Sequence, residues 1–268
     1  MNSSAQDGRL PAERQQKIIS MLKEEGAVRV TELSELLDVS VLTIRRDLDL
    51  LEKKGVLERS HGGAILRQTM MVESHYIQRE KENISEKQAL AAAAVELIED
   101  GDTVFVNSGS TNRQVLLYLA QKKVRIVTNH AAGLEIMDGN NPDLKVILTG
   151  GSYRHQSRSM AGSFAVDTIR RIFANKAIIG GDGVSMSKGI TTPIQQEADV
   201  ARQMIEQTTG DVIVLVDHTK IGVVSNFSTA PMGRVDFLIS DLKAGGMLDG
   251  ERLKEEGVEL ILIDTEKH

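Results

Sequence analysis

The chain has 268 residues, of which 41% are hydrophobic, and its formal net charge is −6. This length predicts two domains rather than one. The absence of cysteine excludes disulfides and cysteine-based zinc sites and fits a reducing cytoplasm. Aromatic residues make up only 3% and Trp is absent, which argues against stacking on single-stranded nucleic acid.

The sequence contains no membrane or secretion signal that we can identify. No apolar run approaches the roughly 20 residues that span a bilayer. Residues 1–8 lack the apolar core of a secretion signal. We therefore expect a cytoplasmic protein with no membrane partner, whose residues 1–9 form a flexible tail.

The first elements follow from capping residues and apolar spacing. Pro11 suits the first position of a helix that runs to about Glu25, where Gly26 stops it. Val28–Val30 is a short strand candidate, and Thr31 is expected to cap a second helix that carries Leu33, Leu36 and Leu37.

A third helix begins at Ser40, whose hydroxyl can accept a hydrogen bond from a free amide of the first turn. Ile44, Leu48 and Leu51 fall at helical spacing and form its buried stripe. Gly55 ends the helix. The residues near the helix start that lie off the stripe are Thr43, Arg45 and Arg46.

A hairpin follows, in which Val56–Arg59 and Ala64–Arg67 pair across His61-Gly62-Gly63. The order of elements over 10–67 is that of a winged helix-turn-helix. A helix that exposes paired arginines beside a basic ribbon suits the major groove of double-stranded DNA. The predicted DNA contacts are Ser40, Thr43, Arg45, Arg46, Arg59, His61, Gly62 and Gly63.

Charge alone does not identify this segment as a DNA-binding domain. Residues 9–67 hold 11 Lys and Arg against 10 Asp and Glu, so the segment is nearly neutral. Binding depends on local neutralisation of phosphates rather than on total charge. The prediction therefore requires that the arginines lie on one face.

The second half alternates between strands and helices. Residues 68–84 show little apolar periodicity and are predicted to be a linker. From residue 85 short β-branched runs, such as Thr103–Val106 and Val212–Val216, alternate with helical stretches. This alternation predicts a mostly parallel α/β sheet over 85–268.

Polar and glycine-rich segments follow these strands. In open α/β sheets ligands bind beyond the carboxyl ends of the strands, and a hydroxyl-rich turn into a helix can cradle a phosphate. Ordinary capped turns would explain each segment taken alone. The predicted ligand contacts are Ser108, Gly109, Ser110, Thr111, Asn129, Gly150, Gly151, Arg154, Asp182, Thr191, Glu197 and Lys220. The six histidines are scattered without metal-ligand spacing, so we expect no metal site, and no catalytic residue is assigned.

Both halves resemble the DeoR-type bacterial repressors of sugar catabolism, from about Leu10 to Ile263. The pattern in the first half is Thr43-Ile44-Arg45-Arg46-Asp47-Leu48 followed by Arg59-Ser60-His61-Gly62-Gly63-Ala64. In the second half it is Ser108-Gly109-Ser110-Thr111, Gly181-Asp182-Gly183, Gly189-Ile190-Thr191-Thr192, Glu197, and Asp217 with Lys220.

The resemblance implies a sensor domain similar in fold to ribose-5-phosphate isomerase and glucosamine-6-phosphate deaminase. It also implies a phosphorylated sugar as effector, no cofactor, and DNA affinity that changes on binding. Asn107 stands where the family usually carries Asp, and Asn112-Arg113 where small or apolar residues are usual. Arg113 either pairs with a second acidic group of the ligand or lies on the surface.

Two further expectations accompany this interpretation. One winged helix buries a limited area on DNA, so we expect a homo-oligomer, a dimer or a tetramer. The alternative function is a sugar-phosphate isomerase or deaminase with an accessory DNA-binding head. In that alternative Asp182 or Glu197 would be the base and Lys220 would stabilise an enediolate.

Overall fold

In the computed structural model the residues described are 11–25, 27–53, 57–60, 62–66, 76–137 and 141–265. The predictions for the 1–9 tail, Gly26, Gly55 and His61, and for the 68–75 part of the linker, lie outside these residues. The chain divides into two compact units, Met1–Thr69 and Met70–His268, and each is described by itself.

The first unit consists of three helices and a three-stranded antiparallel sheet. The helices are α1 (Pro11–Glu25), α2 (Val30–Leu37) and α3 (Val41–Lys53), and the strands are β1 (Ala27–Arg29), β2 (Leu57–Ser60) and β3 (Gly63–Leu66). The sheet order is β1-β3-β2. Ile18, Leu22, Leu33, Ile44 and Leu48 have no solvent exposure and lie in one core.

Ser40 caps α3 as the sequence indicates, because its Oγ accepts a hydrogen bond from the amide of Thr43 at 3.2 Å. One detail of α2 differs from the prediction. Thr31 lies inside α2, whose N-cap position is Arg29 without a side-chain hydrogen bond. Leu36 of the same helix is 56% exposed, because it faces away from the stripe formed by Leu33 and Leu37.

The hairpin turn is tighter than predicted, since β3 begins at Gly63 and Ser60 pairs with Gly63. A Cβ atom at position 63 would lie 2.1 Å from the carbonyl oxygen of Val28. Only glycine lets β3 approach β1 this closely. Gly63 is therefore explained by packing within the sheet.

The second unit has a seven-stranded parallel sheet of order β15-β14-β12-β9-β4-β5-β6. These strands are β4 (Thr103–Val106), β5 (Arg125–Thr128), β6 (Lys145–Leu148), β9 (Lys176–Ile179), β12 (Val212–Leu215), β14 (Phe237–Asp241) and β15 (Glu259–Ile263). The helices are α4 (Tyr76–Lys81), α5 (Ile84–Glu96), α6 (Ser110–Leu119), α7 (Ser163–Ile169), α8 (Gln195–Glu206) and α9 (Gly250–Glu255).

Hydrophobic layers cover both faces of this sheet. Phe105 and alternate residues of the other strands pack with α7 and α8 in one cluster. Val104 and Val106, which point to the opposite face, pack with α5 and α6 in a second cluster. The predicted parallel α/β architecture is confirmed.

Two small antiparallel sheets complete the unit. One is the hairpin of β7 (Ser152–Arg154) and β8 (Ser159–Ala161), and the other is formed by β10 (Gly183–Ser185), β11 (Gly189–Thr192) and β13 (Phe227–Ala230).

The part of the predicted linker at 68–84 that the structure describes, residues 76–84, is largely helical. Residues 76–81 form α4, and the side chain of Tyr76 is 1% exposed. The Tyr76 hydroxyl lies 3.0 Å from Nε2 of His130, and its amide donates to the carbonyl of Gln156 at 2.9 Å. One buried aromatic residue of α4 thus packs against the rest of the second unit. Local apolar periodicity does not predict this contact.

Candidate functional site

In the first unit, α3 presents its arginines to solvent. Arg45 and Arg46 are exposed and Thr43 is half-buried. The Oγ atom of Ser40 lies 2.9 Å from Oγ1 of Thr43. The cap and the two arginines therefore occupy the first turns of one helix, as the sequence indicates.

Three other predicted DNA contacts of this unit, Arg59, Gly62 and Gly63, lie in the hairpin rather than on α3. Arg59 is engaged with α3, because its Nε lies 3.5 Å from Oδ1 of Asp49 and its amide donates to Glu52. Gly62 is an exposed turn residue, and Gly63 is buried in the sheet.

Asp47 is a buried structural residue that the sequence left unexplained. Its carboxylate accepts from Nε of Arg14 at 2.6 Å and from Nε2 of Gln15 at 3.0 Å. Both donors are on α1, so Asp47 joins α1 to α3. Asp47 lies three residues after Ile44 and so falls on the buried stripe of α3, whereas its exposed neighbour Asp49 lies off that stripe.

The second unit contains an open cavity of about 840 Å³, mouth included. Seven of the twelve predicted ligand contacts line it. They are Ser108, Gly109, Ser110, Thr111, Asp182, Glu197 and Lys220. The carboxyl ends of β4, β9 and β12 bring most of them together.

The other five predicted contacts do not line the cavity. Asn129 supports the loop after β4, because its Oδ1 accepts from the Ser108 amide at 2.8 Å. Gly150 and Gly151 form the turn between β6 and β7. Arg154 acts through Glu197, with Nε at 3.3 Å from Oε1.

Thr191 is the fifth of these residues, and its neighbour Thr192 lines the cavity instead. Thr191 is 2% exposed, and its Oγ1 is bonded to the Gly183 carbonyl and the Ser225 amide. Successive side chains of a strand point to opposite faces. Thr192 therefore faces the cavity and donates to Oδ2 of Asp182 at 2.8 Å.

Four acids among the described residues line the cavity, Glu82, Asp182, Glu197 and Asp217, and the carboxylates of the last three are held by neighbours. Arg79 Nη1 donates to Oδ1 of Asp182 at 2.6 Å. Glu197 accepts from Ser159 at 2.8 Å as well as from Arg154. Asp217 accepts from the Thr219 amide at 3.0 Å, which shapes the turn that carries Lys220.

Two cations that line the cavity were missed because they lie in or beside the predicted linker. Arg79 is on α4, and Lys87 is on α5 with 4% exposure. Lys87 donates to the carbonyl oxygens of Arg79 and Glu82. Burial lowers the pKa of Lys87. The charge of Asp217 raises this pKa and the charge of Lys220 lowers it, both by less than burial does.

Asn107 and Asn112 form a buried pair beneath the cavity. Nδ2 of Asn112 donates to Oδ1 of Asn107 at 2.6 Å, and the Asn107 amide makes a reciprocal pair of bonds with the backbone of Gly180. An aspartate at 107 could not donate to the Gly180 carbonyl. Asn107 and Asn112, which both depart from the family pattern, thus belong to one hydrogen-bond network.

Arg113 is not a cavity residue. Its guanidinium lies 3.2 Å from Glu80 and 2.9 Å from Glu135, so of the two possibilities it has a surface position, where it pairs with α4.

His130 is fully buried, and burial lowers its pKa to about 4, with Arg113 contributing in the same direction. Nδ1 accepts from the amide of Ala132 at 2.9 Å. The neutral ring therefore carries its proton on Nε2 and donates it to the Tyr76 hydroxyl. Burial raises the pKa of Tyr76, which keeps the phenol neutral.

The described residues contain no cluster of His, Asp and Glu arranged to hold a metal ion. Within the same ranges, no helix has the length and apolarity needed to cross a membrane.

Comparison with known proteins identifies both units. The DeoR-like helix-turn-helix domain matches residues 14–70, and the DeoR C-terminal sensor domain matches residues 82–242. The chain belongs to the DeoR family of transcriptional regulators. It is therefore a DNA-binding regulator and not an enzyme, and the isomerase or deaminase alternative is wrong.

Relatives of the regulator align over nearly its whole length. The HTH-type transcriptional regulator GolR of Listeria innocua is 34% identical over 87% of this chain and 91% of that protein. The regulator GlpR of Haloferax volcanii is 32% identical over 95% and 98%. The lactose phosphotransferase system repressor of Lactococcus lactis is 33% identical over 85% and 90%. Among solved structures, a D-ribose-5-phosphate isomerase in complex with phospho-erythronic acid gives a TM-score of 0.37 at 16% identity, covering 50% of this chain and 52% of that one.

Proposed function

We propose that the cavity of the second unit binds a phosphorylated sugar and that its occupancy controls DNA binding by the first unit. The observation that carries this proposal is the start of α6. Its first turn lies on the cavity, beside the hydroxyls of Ser108 and Thr111. The first amides of a helix have no intrahelical partner and attract anions.

Lys220 supplies the cation. Its ammonium has no ion-pair or hydrogen-bond partner among the described residues, and the side chain lines the same cavity. A free ammonium beside a helix N-terminus suits a phosphate group. Asp182 and Glu197 offer carboxylate oxygens to the hydroxyls of a sugar.

The effector class is tested by thermal unfolding with ribose 5-phosphate, glucose 6-phosphate and glucosamine 6-phosphate, alongside the unphosphorylated sugars and inorganic phosphate. A ligand at 100 times its dissociation constant stabilises by about 2.7 kcal/mol. We expect at least one sugar phosphate to do so and its free sugar not to.

Lys220→Gln should weaken that binding, whereas Lys254→Gln, which removes an exposed lysine of α9, should not. Equal stabilisation by a sugar and its phosphate, or no loss in Lys220→Gln, would contradict the assignment of the phosphate.

The DNA partner is a double-stranded operator of a carbohydrate operon, with the first turns of α3 in the major groove. The repressor of the lactose phosphotransferase system is a relative whose name places it in carbohydrate metabolism. We also propose that the regulator binds DNA as a dimer or a larger homo-oligomer and needs no cofactor besides the effector.

A further inference from the structure

Helix α4 is held in place by residues that line the sensor cavity. Arg79 projects from α4 to Asp182, and Lys87 donates to the carbonyls of Arg79 and Glu82 at the end of α4. All four residues line the cavity. Some of the groups that shape the ligand site therefore also hold α4, in addition to the contacts of Tyr76 and Glu80 outside the cavity.

The ion pair of Arg79 with Asp182 uses only one hydrogen bond, which favours replacement of Arg79 by another partner of Asp182. Nη1 makes one short hydrogen bond to Asp182, but Nε is buried without a partner among the described residues. Arginine binds a carboxylate most strongly through two parallel hydrogen bonds. The Arg79–Asp182 pair thus lacks the second hydrogen bond that would give it the strength of a bidentate pair.

The position of α4 along the chain gives this contact a consequence. The last strand of the first unit, β3, ends at Leu66, and α4 starts at Tyr76. Along the chain, α4 is the first described element after the DNA-binding unit. A signal that passes along the backbone from the cavity to that unit must pass through α4.

We propose that the Arg79–Asp182 ion pair couples occupancy of the cavity to α4. The hydroxyls of a bound sugar phosphate take Asp182, Arg79 loses its partner, and α4 is released from the cavity wall. This inference rests on the proposed function of the cavity as a sugar-phosphate site. It assigns to Arg79, a residue of the predicted linker, the role of a positioning residue.

The contact is tested first without ligand, by amide hydrogen exchange of residues 76–83 in the full-length protein. Arg79→Gln, Asp182→Asn and the double variant each remove the same pair. We expect each single variant to raise exchange on the order of tenfold, and the double variant to add nothing further.

The matched control is Arg113→Gln, which removes the 3.2 Å contact of α4 Glu80 outside the cavity. Its effect on exchange should add to that of Arg79→Gln. Unchanged exchange in both single variants, or additive effects of Arg79→Gln and Asp182→Asn, would overturn the coupling whatever the ligand.

The second test adds the sugar phosphates named above and a DNA site selected by the wild-type protein from random sequences. By calorimetry, Arg79→Gln should bind the active sugar phosphate at least as tightly as the wild type, because the competitor for Asp182 is gone. Its DNA affinity should no longer respond to that sugar phosphate.

The two proposals fail separately. If Arg79→Gln binds the sugar phosphate and keeps the wild-type DNA response, the coupling through Arg79 is wrong and the effector class stands. If no sugar phosphate binds the wild type, the effector class is wrong and the ligand-free exchange experiment decides whether Arg79 and Asp182 hold α4.

Discussion

Within each unit of this regulator, a single buried polar residue joins two separate elements of the fold. Asp47 joins α1 to α3 through Arg14, and His130 joins the sheet to α4 through Tyr76. Each is surrounded by its partners and almost inaccessible to water. A buried charge or ring that loses its partner is costly, so these residues give measurable predictions.

Asp47→Ala should destabilise the first unit by about 3–5 kcal/mol, because it removes the buried carboxylate that accepts from both Arg14 and Gln15 of α1. Hydrogen exchange of the amides of α1 and α3 measures the loss. Asp49→Ala on the same helix is the control, since Asp49 is 57% exposed and its ion pair with Arg59 contributes at most about 1 kcal/mol. Equal losses in the two variants would show that Asp47 has no structural role.

The pKa of His130 predicts a pH dependence of the second unit. Because its folded pKa is about 4, below the usual 6.5, the unfolded chain takes up the proton first. The stability is present above pH 6.5 and is lost as pH falls towards 4. Between pH 7.5 and pH 5 this loss is about 2 kcal/mol.

The measurement is urea unfolding followed by tyrosine fluorescence, because the three tyrosines, Tyr76, Tyr118 and Tyr153, all lie in the second unit. His130→Gln should be less stable at neutral pH and should lack this part of the pH slope. An unchanged slope in the variant would assign the pH dependence to other groups.

At the scale of elements, the ends of helices and strands carry the residues of the proposed DNA and effector contacts. The start of α3 presents Arg45 and Arg46 to solvent, and the start of α6, which has no side-chain cap, lies on the cavity. Strand ends supply the remaining cavity residues. Glycine at 109, with φ of 149°, allows the sharp turn from β4 into α6.

Arg46→Ala should lower DNA affinity and reduce the slope of log affinity against log salt by about one unit, because one phosphate contact is lost. Arg45→Ala should do the same or also relax base preference. Gel-shift titrations at several salt concentrations measure both. Lys17→Ala, an exposed cation on α1, is the control, and a similar slope change there would mean that α3 is not the principal DNA contact.

At the scale of the whole molecule, two independent compact units are joined through one chain segment. The proposed oligomer then sets the distance between two DNA-reading helices. Half-sites for such proteins are centred about 10 base pairs apart, or a multiple of it.

Inserting about 5 base pairs between the half-sites turns them to opposite sides of the duplex and should weaken binding strongly, whereas about 10 should restore much of it. Gel shifts with the spaced sites, together with sedimentation of the free protein, provide the measurement. A protein that binds one half-site as a monomer at every concentration would contradict the proposed oligomer.

The sequence by itself determined the features that depend on neighbouring residues. The Ser40 cap, the stripe of Ile44 and Leu48, and the parallel strands all follow from local spacing. The hydroxyl loop at Ser108 could also be located, because it directly follows a strand whose direction the alternating pattern indicates.

Only the tertiary structure decided which residues of that region reach the cavity. Thr192 rather than Thr191 faces it because strand register chooses the side, and Asn129 lies outside because it supports the loop. Arg79 meets Asp182 across 103 residues of chain. Such contacts depend on how distant elements pack, and local sequence patterns contain no record of that packing.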